Sequence, residues 1–562
     1  MDTDSLFFLR SKSIAEDFLQ SVVIIDDYIF RKFNGQEISE LISPTEMPLI
    51  GVADKELSNK IVEKKLNKKS TESEIGTKEI DPKILVKSFA KKGIACSVIE
   101  PSKEEMGTFF DKIQSLALKT DIIILDWFIH DENGENTLKI FEEIIKQKNN
   151  GANQLCLLVV YTTASPQVLE ISKILQKKLR SLIGVPKVDD DGFTLTSNGI
   201  RTVIFLKPEK TFKEFPDRLV DFDCLADRVI IEFTKMMTGL VPNVVLKSLS
   251  LFRQNSYKIL SNFSPSMDAP FLTHRVLLSS PEDAEDFLPE LITEELKGLL
   301  EESKVCEEVN LSAIEDWIIA QESSDVIFSM RDGSDNLINS HQDIVELLNK
   351  GFIKYISDSS FGSNRKENLK KKIHTLPFTK MFRLSSSDSI SLDEKFAHLS
   401  SFRSHYQKSI PFLSQGTILK KLSGNTQEII VCLTPRCDST RINSSMNFLF
   451  INLQSNDEAF SIVLEDNGNY DRYQIRKKAH FLKVIEFESN CPEKKLVKGI
   501  KKENDISIYF LDKENNEYKW LGELKQNHAQ RLSHNISTSL SRIGLDESEW
   551  LRLWANRVGS GD

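Results

Sequence analysis

The first part of the sequence places polar side chains directly after four runs of apolar residues. In chain order these polar residues are Asp26 and Asp27, Asp126, Thr162 and Thr163, and Lys207. Each preceding run consists of Val, Ile, Leu, Phe or Tyr, the composition of a strand buried on both faces. In open α/β sheets, ligands bind outside the carboxyl ends of the parallel strands. We therefore expect the carboxylates, hydroxyls and ammonium group to converge on one site.

This set of groups suits phosphoryl transfer to a carboxylate. Clustered carboxylates raise each other's pKa unless a cation shares their site, and hard oxygen ligands favour Mg²⁺. The ammonium of Lys207 and a threonine hydroxyl can contact oxygens of a phosphoryl group. Catalysis would then consist mostly of positioning and charge neutralisation. We predict that Asp126 is the nucleophile and that the product is an acyl phosphate.

Five strand–helix units are predicted around these residues. The predicted strands cover residues 22–27, 94–99, 121–126, 155–161 and 202–206. The predicted helices cover residues 82–91, 104–119, 136–147 and 166–183, with a last one from about residue 213. Continuous apolar strands indicate a parallel sheet covered on both faces, and their alternation with helices indicates an α/β fold.

Four short segments carry a resemblance to a known family. They are residues 22–27 (Val-Val-Ile-Ile-Asp-Asp), 121–127 (Asp-Ile-Ile-Ile-Leu-Asp-Trp), 161–164 (Tyr-Thr-Thr-Ala) and 205–208 (Phe-Leu-Lys-Pro). Together and in this order they resemble the receiver domain of response regulators in two-component signalling. The resemblance implies a flavodoxin-like (βα)5 fold, Mg²⁺ as the cofactor, and a histidine kinase or related ATPase as partner.

The resemblance also assigns a metal site. It implies that Asp126 is the phosphoacceptor and a metal ligand, and that Asp27 binds Mg²⁺ directly. Asp26 corresponds to the outer-sphere acidic residue of the family, and Phe128 to the residue whose backbone carbonyl binds the metal.

Two further residues are assigned to the phosphoryl group by the same resemblance. Lys207 corresponds to the lysine that binds the phosphoryl oxygens. Thr163, which precedes Ala164, corresponds to the switch hydroxyl. The neighbouring Thr162 remains an alternative at this point, because the sequence alone does not decide between them.

The sequence departs from the family pattern at three places. Extra length is predicted between residues 28 and 80, and a second insertion at 184–200 has the pattern of a β-hairpin. Three residues before Lys207, where the family often has an aromatic switch residue, the chain has Ile204. Phe205 is adjacent, but successive strand residues face opposite sides of a sheet. We therefore expect activation to be transmitted without the usual aromatic residue.

Composition narrows the class of protein. The chain has 562 residues, a net charge of −10 and 40% hydrophobic residues, which is typical of a soluble globular protein of several domains. The negative charge argues against a dedicated nucleic-acid-binding output. Seven cysteines without metal-ligand spacing predict reduced thiols and a cytoplasmic location. The sequence shows no signal peptide and no apolar run of membrane length, so we expect no membrane association.

The sequence predicts three domains. They are a receiver domain at 1–215, a helical domain or linker at 216–385, and a β-rich domain with C-terminal helices at 386–562. Segment 357–396 is rich in Ser and Lys, which predicts a loop or linker. Short strand-like segments between about 417 and 524 predict a small antiparallel barrel or sandwich. A closing helix at about 526–543 and a short helix with Trp550 and Trp554 are predicted after it.

One motif in the third domain raises the hypothesis of an effector enzyme. Cys437 lies among charged residues after a predicted strand, where a thiol can be reactive. No histidine is aligned with it, since His480, His528 and His534 are distant in sequence. We therefore favour a turn with a buried cysteine and an Asp–Arg ion pair, and predict no enzymatic activity beyond self-catalysed phosphoryl transfer.

Segments after the receiver region carry a second, looser resemblance. They are Thr238-Gly-Leu-Val-Pro-Asn243, Pro281-Glu-Asp-Ala-Glu285, Cys437-Asp438, and Gln530-Arg-Leu through Gly544-Leu-Asp546. They resemble long response-receiver proteins of bacterial conflict loci, including anti-phage two-component systems of the Detocs type. The resemblance implies a dedicated histidine kinase or related ATPase as partner and a role in defence signalling. Because no effector is recognisable, the chain can serve as a signal relay or as a phosphate sink. A second receiver or an effector protein as partner, and a homodimer, are left open. The alternatives are a phosphate-independent scaffold with a receiver fold, or an effector enzyme in the C-terminal domain.

Overall fold

The computed structural model shows two compact units. One comprises residues 1–326 and 338–374, and the other residues 327–337 and 375–562. The residues that the structure describes are 3–27, 82–130, 133–149, 155–163, 167–208, 214–321, 329–332, 335–338, 340–382, 389–405, 410–422, 428–457, 460–466, 469–491, 495–502, 505, 507–540 and 552. The predicted insertion at 28–80 and the predicted helix with Trp550 and Trp554 lie outside this set.

A seven-stranded sheet forms the centre of the first unit. Its strands are β1 (Ser21–Ile25), β2 (Ala95–Ile99), β3 (Ile122–Leu125), β4 (Cys156–Thr162), β5 (Lys187–Val188), β6 (Thr194–Ser197) and β7 (Ile200–Leu206). The order is β2-β1-β3-β4-β7-β6-β5, in which β2, β1, β3, β4 and β7 are parallel. The hairpin β5–β6 adds an antiparallel edge to β7. This mostly parallel sheet confirms the predicted α/β fold class.

Helices cover both faces of the sheet, because alternate strand residues supply two separate cores. They are α1 (Leu6–Phe18), α2 (Pro82–Ala90), α3 (Met106–Lys119), α4 (Glu135–Asn149), α5 (Val168–Ile183) and α6 (Leu225–Met237). One core joins α3, α4 and α5 to residues such as Val23, Ile123 and Ile204. The other joins α1, α2 and α6 to residues such as Ile24 and Phe205. The sheet is therefore rigidly held between two layers of helices.

Further helices follow the receiver region within the first unit. They are α7 (Leu240–Asn262), α8 (Asp268–Leu277), α9 (Asp283–Glu302), α10 (Leu311–Ala320), α11 (His341–Lys350), α12 (Phe352–Asp358) and α13 (Ser363–Lys371). Arg253 of α7 donates to the Phe18 carbonyl at 2.8 Å and to Asp121 at 2.9 Å. Asp121 in turn accepts hydrogen bonds from the backbone N–H groups of Gln20 and Ser21. These bonds attach α7 to the amino-terminal end of the sheet.

The prediction of a loop or linker at 357–396 was wrong for most of the described part of that segment. It contains α13, α14 (Phe378–Met381) and the first part of α15 (Ser389–Ser401). Few apolar residues are needed to anchor these short helices, and Leu369 and Met381 are both buried. The Ser and Lys residues of α13 are exposed or half-buried, so their composition gave no signal of a helix.

The second unit is built on an antiparallel sheet, which confirms the predicted β-rich C-terminal region. Before it in the chain, β8 (Met330–Asp332) and β9 (Asp335–Ile338) form a separate two-stranded sheet. The strands of the antiparallel sheet are β10 (Thr417–Lys421), β11 (Ile429–Cys432), β12 (Ser445–Ser455), β13 (Ile462–Asp466), β14 (Asn469–Ile475), β15 (Leu482–Glu488), β16 (Ile500–Lys501), β17 (Ile508–Leu511) and β18 (Glu517–Glu523). Their order is β13-β14-β12-β11-β10-β18-β17-β16, with β15 also paired to β12. Helix α16 (Gln526–Leu540) packs its apolar side on one face of this sheet. Among the helices of the described residues, none combines the length and hydrophobicity that a membrane span requires.

Candidate functional site

The three predicted carboxylates come together at the carboxyl ends of two neighbouring strands. Asp26 and Asp27 follow β1, Asp126 follows β3, and the two strands are paired in register from Val22 to Ile25. The Asp126 amide donates to the Ile25 carbonyl at 2.9 Å, which continues this pairing to the site. One oxygen of each carboxylate lies within 4.8 Å of the others, and all three residues are buried. The parallel topology therefore produces the predicted cluster.

Lys207 enters the same cluster from the end of β7. Its backbone amide donates to the Thr162 carbonyl at 2.9 Å, so the end of β4 fixes its position. Its Nζ lies 2.7 Å from Asp26 Oδ2 and 2.9 Å from Asp126 Oδ1. The ammonium group is buried and bridges two of the three carboxylates, which leaves the cluster with a net negative charge.

The pKa values of Asp126 and Lys207 reflect their burial and the excess of negative over positive charge in the cluster. Burial raises the pKa of Asp126, and Asp26 and Asp27 add to that increase, while Lys207 opposes it. Burial favours the neutral form of Lys207, but Asp126 and Asp26 outweigh it and raise the pKa of the lysine. Lys207 is therefore an ammonium group, and an additional cation would be stabilised beside the carboxylates.

The donor set fits a divalent cation. Within the part of the chain that the structure describes, Asp27 Oδ1 is buried and has no hydrogen-bond partner. A buried carboxylate oxygen without a partner is costly unless a cation or another donor satisfies it. Carboxylate oxygens are also the ligands that Mg²⁺ prefers. The arrangement is thus compatible with the Mg²⁺ site implied by the family resemblance.

His130 is a residue of this site that the sequence analysis missed. Its backbone N–H donates to Asp27 Oδ2 at 3.0 Å, and its ring Nδ1 lies 2.9 Å from the same oxygen. Its ring Nε2 contacts the carbonyl oxygen of Pro101. A histidine four positions after Asp126 was the only available signal, and nothing in the sequence connects it with Asp27 or Pro101.

The first turn of α4 holds the loop that follows Asp126. The Thr137 hydroxyl lies 2.9 Å from the carbonyl oxygens of both Asp126 and Trp127. Asn136 donates its side-chain amide to the Ile129 carbonyl at 2.9 Å. Phe128 lies in this loop and is half-buried, and the role of its carbonyl as a metal ligand stays a prediction.

Gly134 allows this loop to close over Trp127. Its φ of 75° is in the left-handed region, and a Cβ at this position would overlap the Trp127 indole. We expect Gly134→Ala to lower the free energy of unfolding by about 3 kcal/mol through backbone strain and overpacking beside Asp126. Urea unfolding followed by circular dichroism would measure this loss.

Gly192 provides a matched control for Gly134. Its φ is 72°, but a Cβ there would meet no atom within 4 Å. Gly192→Ala should therefore cost only the backbone strain, about 1 kcal/mol. Equal losses in the two variants would contradict the proposed contact between residue 134 and Trp127.

The two candidate threonines differ in environment. Thr162 is fully buried at the end of β4, opposite Leu206 of β7, whereas Thr163 is exposed. Ala164 lies outside the described residues. Exposure suits a hydroxyl that contacts an incoming phosphoryl group, so Thr163 stays the predicted switch residue.

Tyr161 is a second residue that the sequence analysis did not single out. Ile204 and Phe205 are both buried and belong to opposite faces of the sheet, as the strand pattern predicted. Tyr161 lies on the same face as Phe205, donates its hydroxyl to the Val220 carbonyl at 2.7 Å, and has Lys207 Nζ 5.7 Å from its ring centroid. An aromatic side chain thus contacts the site from β4 rather than from β7.

Cys437 shows no arrangement for nucleophilic catalysis. Its thiol is exposed, so the prediction of a buried cysteine was wrong. The thiol lies 3.4 Å from the Asp438 carboxylate. In the hydrogen bonds of the described residues, no histidine contacts this thiol. The absence of enzymatic activity in the C-terminal domain stays a prediction.

Comparison with protein families agrees with the fold and the site. Residues 18–212 match the model of the response receiver domain family. Neither a curated protein nor a solved structure matches the chain significantly. The N-terminal region is thus a response receiver domain, a module typical of two-component response regulators and, in general, of partners of histidine kinases. The match ends at residue 212 and leaves the helical and β-rich parts without a family assignment.

Proposed function

We propose that this chain is a response regulator that accepts a phosphoryl group on Asp126 from a histidine kinase. The observation that supports this most is the buried cluster of Asp26, Asp27 and Asp126 with Lys207 bridging two of its members. These residue types, in this order on these strands, are those of the receiver family. In this proposal the chain is a phosphoacceptor and not an enzyme that acts on a separate substrate.

Each residue of the cluster has its own role in the phosphoryl transfer. Asp27, Asp126 and the Phe128 carbonyl would hold Mg²⁺ directly, with Asp26 acting through water. A bound Mg²⁺ would supply the positive charge that lets phosphoryl oxygens approach this acidic pocket. A carboxylate oxygen of Asp126 attacks phosphorus, the P–N bond of the donor phosphohistidine breaks, and the imidazole leaves with the bonding electron pair. Lys207 exchanges a carboxylate contact for a phosphoryl oxygen and stabilises the charge that accumulates there.

The acyl phosphate would then act as a switch or as a store of phosphoryl groups. Added negative charge and acceptor oxygens can draw the Thr163 hydroxyl and nearby loops into a second arrangement. We propose bacterial anti-phage defence as the biological setting, on the basis of the loose motifs in the helical and β-rich parts. A second receiver or effector protein, and a homodimer, remain predicted partners in that setting.

Phosphorylation measured by intact mass tests the proposal. The purified full chain is incubated with a histidine kinase, ATP and Mg²⁺, and separately with phosphoramidate and Mg²⁺. We expect a gain of the mass of one phosphoryl group that chelation of Mg²⁺ abolishes. If an autophosphorylated kinase and phosphoramidate both leave the mass unchanged, the proposal fails and a phosphate-independent scaffold is favoured.

A further inference from the structure

One oxygen of the Asp27 carboxylate is held by two groups of the same residue. Asp27 Oδ2 accepts the His130 backbone N–H at 3.0 Å and lies 2.9 Å from His130 Nδ1. Because a carboxylate only accepts hydrogen bonds, the ring Nδ1 is the donor in this contact. Two donors on one oxygen fix the rotation of the carboxylate, and this rotation decides where the second oxygen lies.

The imidazole ring is itself held in place. Its Nε2 contacts the Pro101 carbonyl, which belongs to the loop after β2, and its side chain is only 10% exposed. The backbone of His130 has a φ of 56°, a left-handed conformation that is uncommon for residues other than Gly and that His, like Asn and Asp, adopts more often than most. The ring therefore links the loop after β3, the loop after β2 and the acidic pair after β1.

The second oxygen of Asp27 is the one without a partner. Among the described residues, Oδ1 has no hydrogen bond although Asp27 is 4% exposed and two further carboxylates lie close by. A buried carboxylate oxygen without a hydrogen-bond partner inside an acidic cluster is suited to binding a cation. The donors on Oδ2 thus leave Oδ1 available to the cation.

We propose that His130 is a positioning residue that orients Asp27 for binding of a divalent cation. It acts through Asp27 rather than as a ligand, because a ring nitrogen that donates to a carboxylate offers no lone pair to a metal. Partners of this kind, which hydrogen-bond to a ligand, typically change metal affinity by about 10- to 100-fold. This inference rests on the metal site of the proposed function and adds a residue that the motif analysis does not supply.

The test measures Mg²⁺ affinity directly in the full-length protein. Isothermal titration calorimetry compares wild type with His130→Ala, which removes the ring, and with His130→Asn. Asparagine tolerates the left-handed backbone, and its side-chain amide nitrogen can replace Nδ1 as the donor to Asp27. We expect the dissociation constant for Mg²⁺ to rise about 10- to 100-fold in His130→Ala and to return most of the way in His130→Asn.

Asn198→Ala is the matched control for backbone strain. Asn198 has a φ of 46° and lies in the β6–β7 turn, at the opposite end of β7 from Lys207. This variant places alanine in a left-handed conformation within the same sheet but leaves the acidic cluster intact. Thermal unfolding of all variants in chelator shows whether each of them folds, and Asn198→Ala should bind Mg²⁺ like wild type.

A kinetic readout separates positioning from a merely structural role. Phosphorylation by phosphoramidate is measured as a function of Mg²⁺ concentration. In His130→Ala we expect a higher concentration of Mg²⁺ at half-maximal rate and a maximal rate close to that of wild type. A structural defect would instead lower the rate at every Mg²⁺ concentration, including the maximal rate at saturating Mg²⁺.

The outcomes distinguish this inference from the proposed function. If wild type binds Mg²⁺ and His130→Ala binds it equally well, the inference is overturned while the metal site stands. If wild type and Asp27→Asn both fail to bind Mg²⁺, the metal site of the proposed function fails and the inference fails with it. Equal weakening in His130→Ala and Asn198→Ala would also overturn it, because strain and not orientation would then be the cause.

Discussion

Asp126→Asn is expected to take up no phosphoryl group from either the kinase or phosphoramidate. The amide that replaces the carboxylate is a poor nucleophile and cannot form the acyl phosphate. Intact mass spectrometry under conditions that fully phosphorylate wild type would show an unmodified protein. Because this change removes the reacting group itself, we expect a complete loss of signal rather than a reduced rate.

Asp126→Asn should remain folded, so its loss of phosphorylation can be attributed to the missing carboxylate. Burial and the neighbouring carboxylates raise the pKa of Asp126, so its negative charge opposes folding even though Lys207 partly compensates it. A neutral amide of the same size removes that repulsion, and we expect a thermal midpoint at or above that of wild type. Asp438→Asn, an exposed change in the second unit, is the control that should be phosphorylated normally. Uptake by Asp126→Asn at the wild-type level would place the phosphoryl group on another residue and refute the assignment.

The site residues that could be predicted from the sequence are those that directly follow the strands of the parallel sheet. A polar residue after an apolar run needs only the parallel topology to be placed, and Asp26, Asp126 and Lys207 lie where that rule puts them. The rule works because every parallel strand ends at the same edge of the sheet. This rule therefore predicted which residues lie close together, but not which hydrogen bonds and ion pairs they form.

Contacts made by loops and by distant helices could not be predicted in the same way. His130 contacts Asp27 from the loop after β3, whose shape Thr137 and Gly134 stabilise. No periodic pattern of the sequence predicts the shape of such a loop. Segment 357–396 was assigned by its Ser and Lys content, although a short helix needs only one or two buried residues such as Leu369. Composition describes the exposed face of an element, whereas the fold depends on the buried face.

The buried ion pair between Arg201 and Glu232 is another contact of this kind, and it leads to the second large prediction. Arg201 Nη2 lies 2.7 Å from Glu232 Oε2, and it also lies 3.1 Å from Asp189. Glu232, on α6, is 2% exposed and has Lys235 at 2.8 Å from its other oxygen. The pair joins β7, which Lys207 follows directly, to α6.

Arg201→Met is expected to lower the free energy of unfolding by about 3 kcal/mol at neutral pH, because it leaves a buried carboxylate with one exposed partner. The double variant Arg201→Met with Glu232→Leu should recover most of this loss, since no charge remains buried. Urea unfolding of both variants and wild type measures the difference. A double variant as unstable as Arg201→Met would show that packing, and not charge, causes the loss.

The loss in Arg201→Met should also depend on pH in a defined direction. Burial raises the pKa of Glu232, but Lys235 and Arg201 outweigh it, so the pKa in the folded protein lies below its ordinary value. The stabilisation from this carboxylate is present above the unfolded-state pKa of about 4.3 and is lost as the pH falls through the folded-state pKa. Removing Arg201 raises the folded-state pKa, so the gap between variant and wild type should be widest near neutral pH and should narrow below about pH 4. A gap that stays constant from neutral to acidic pH would refute the electrostatic origin of the effect.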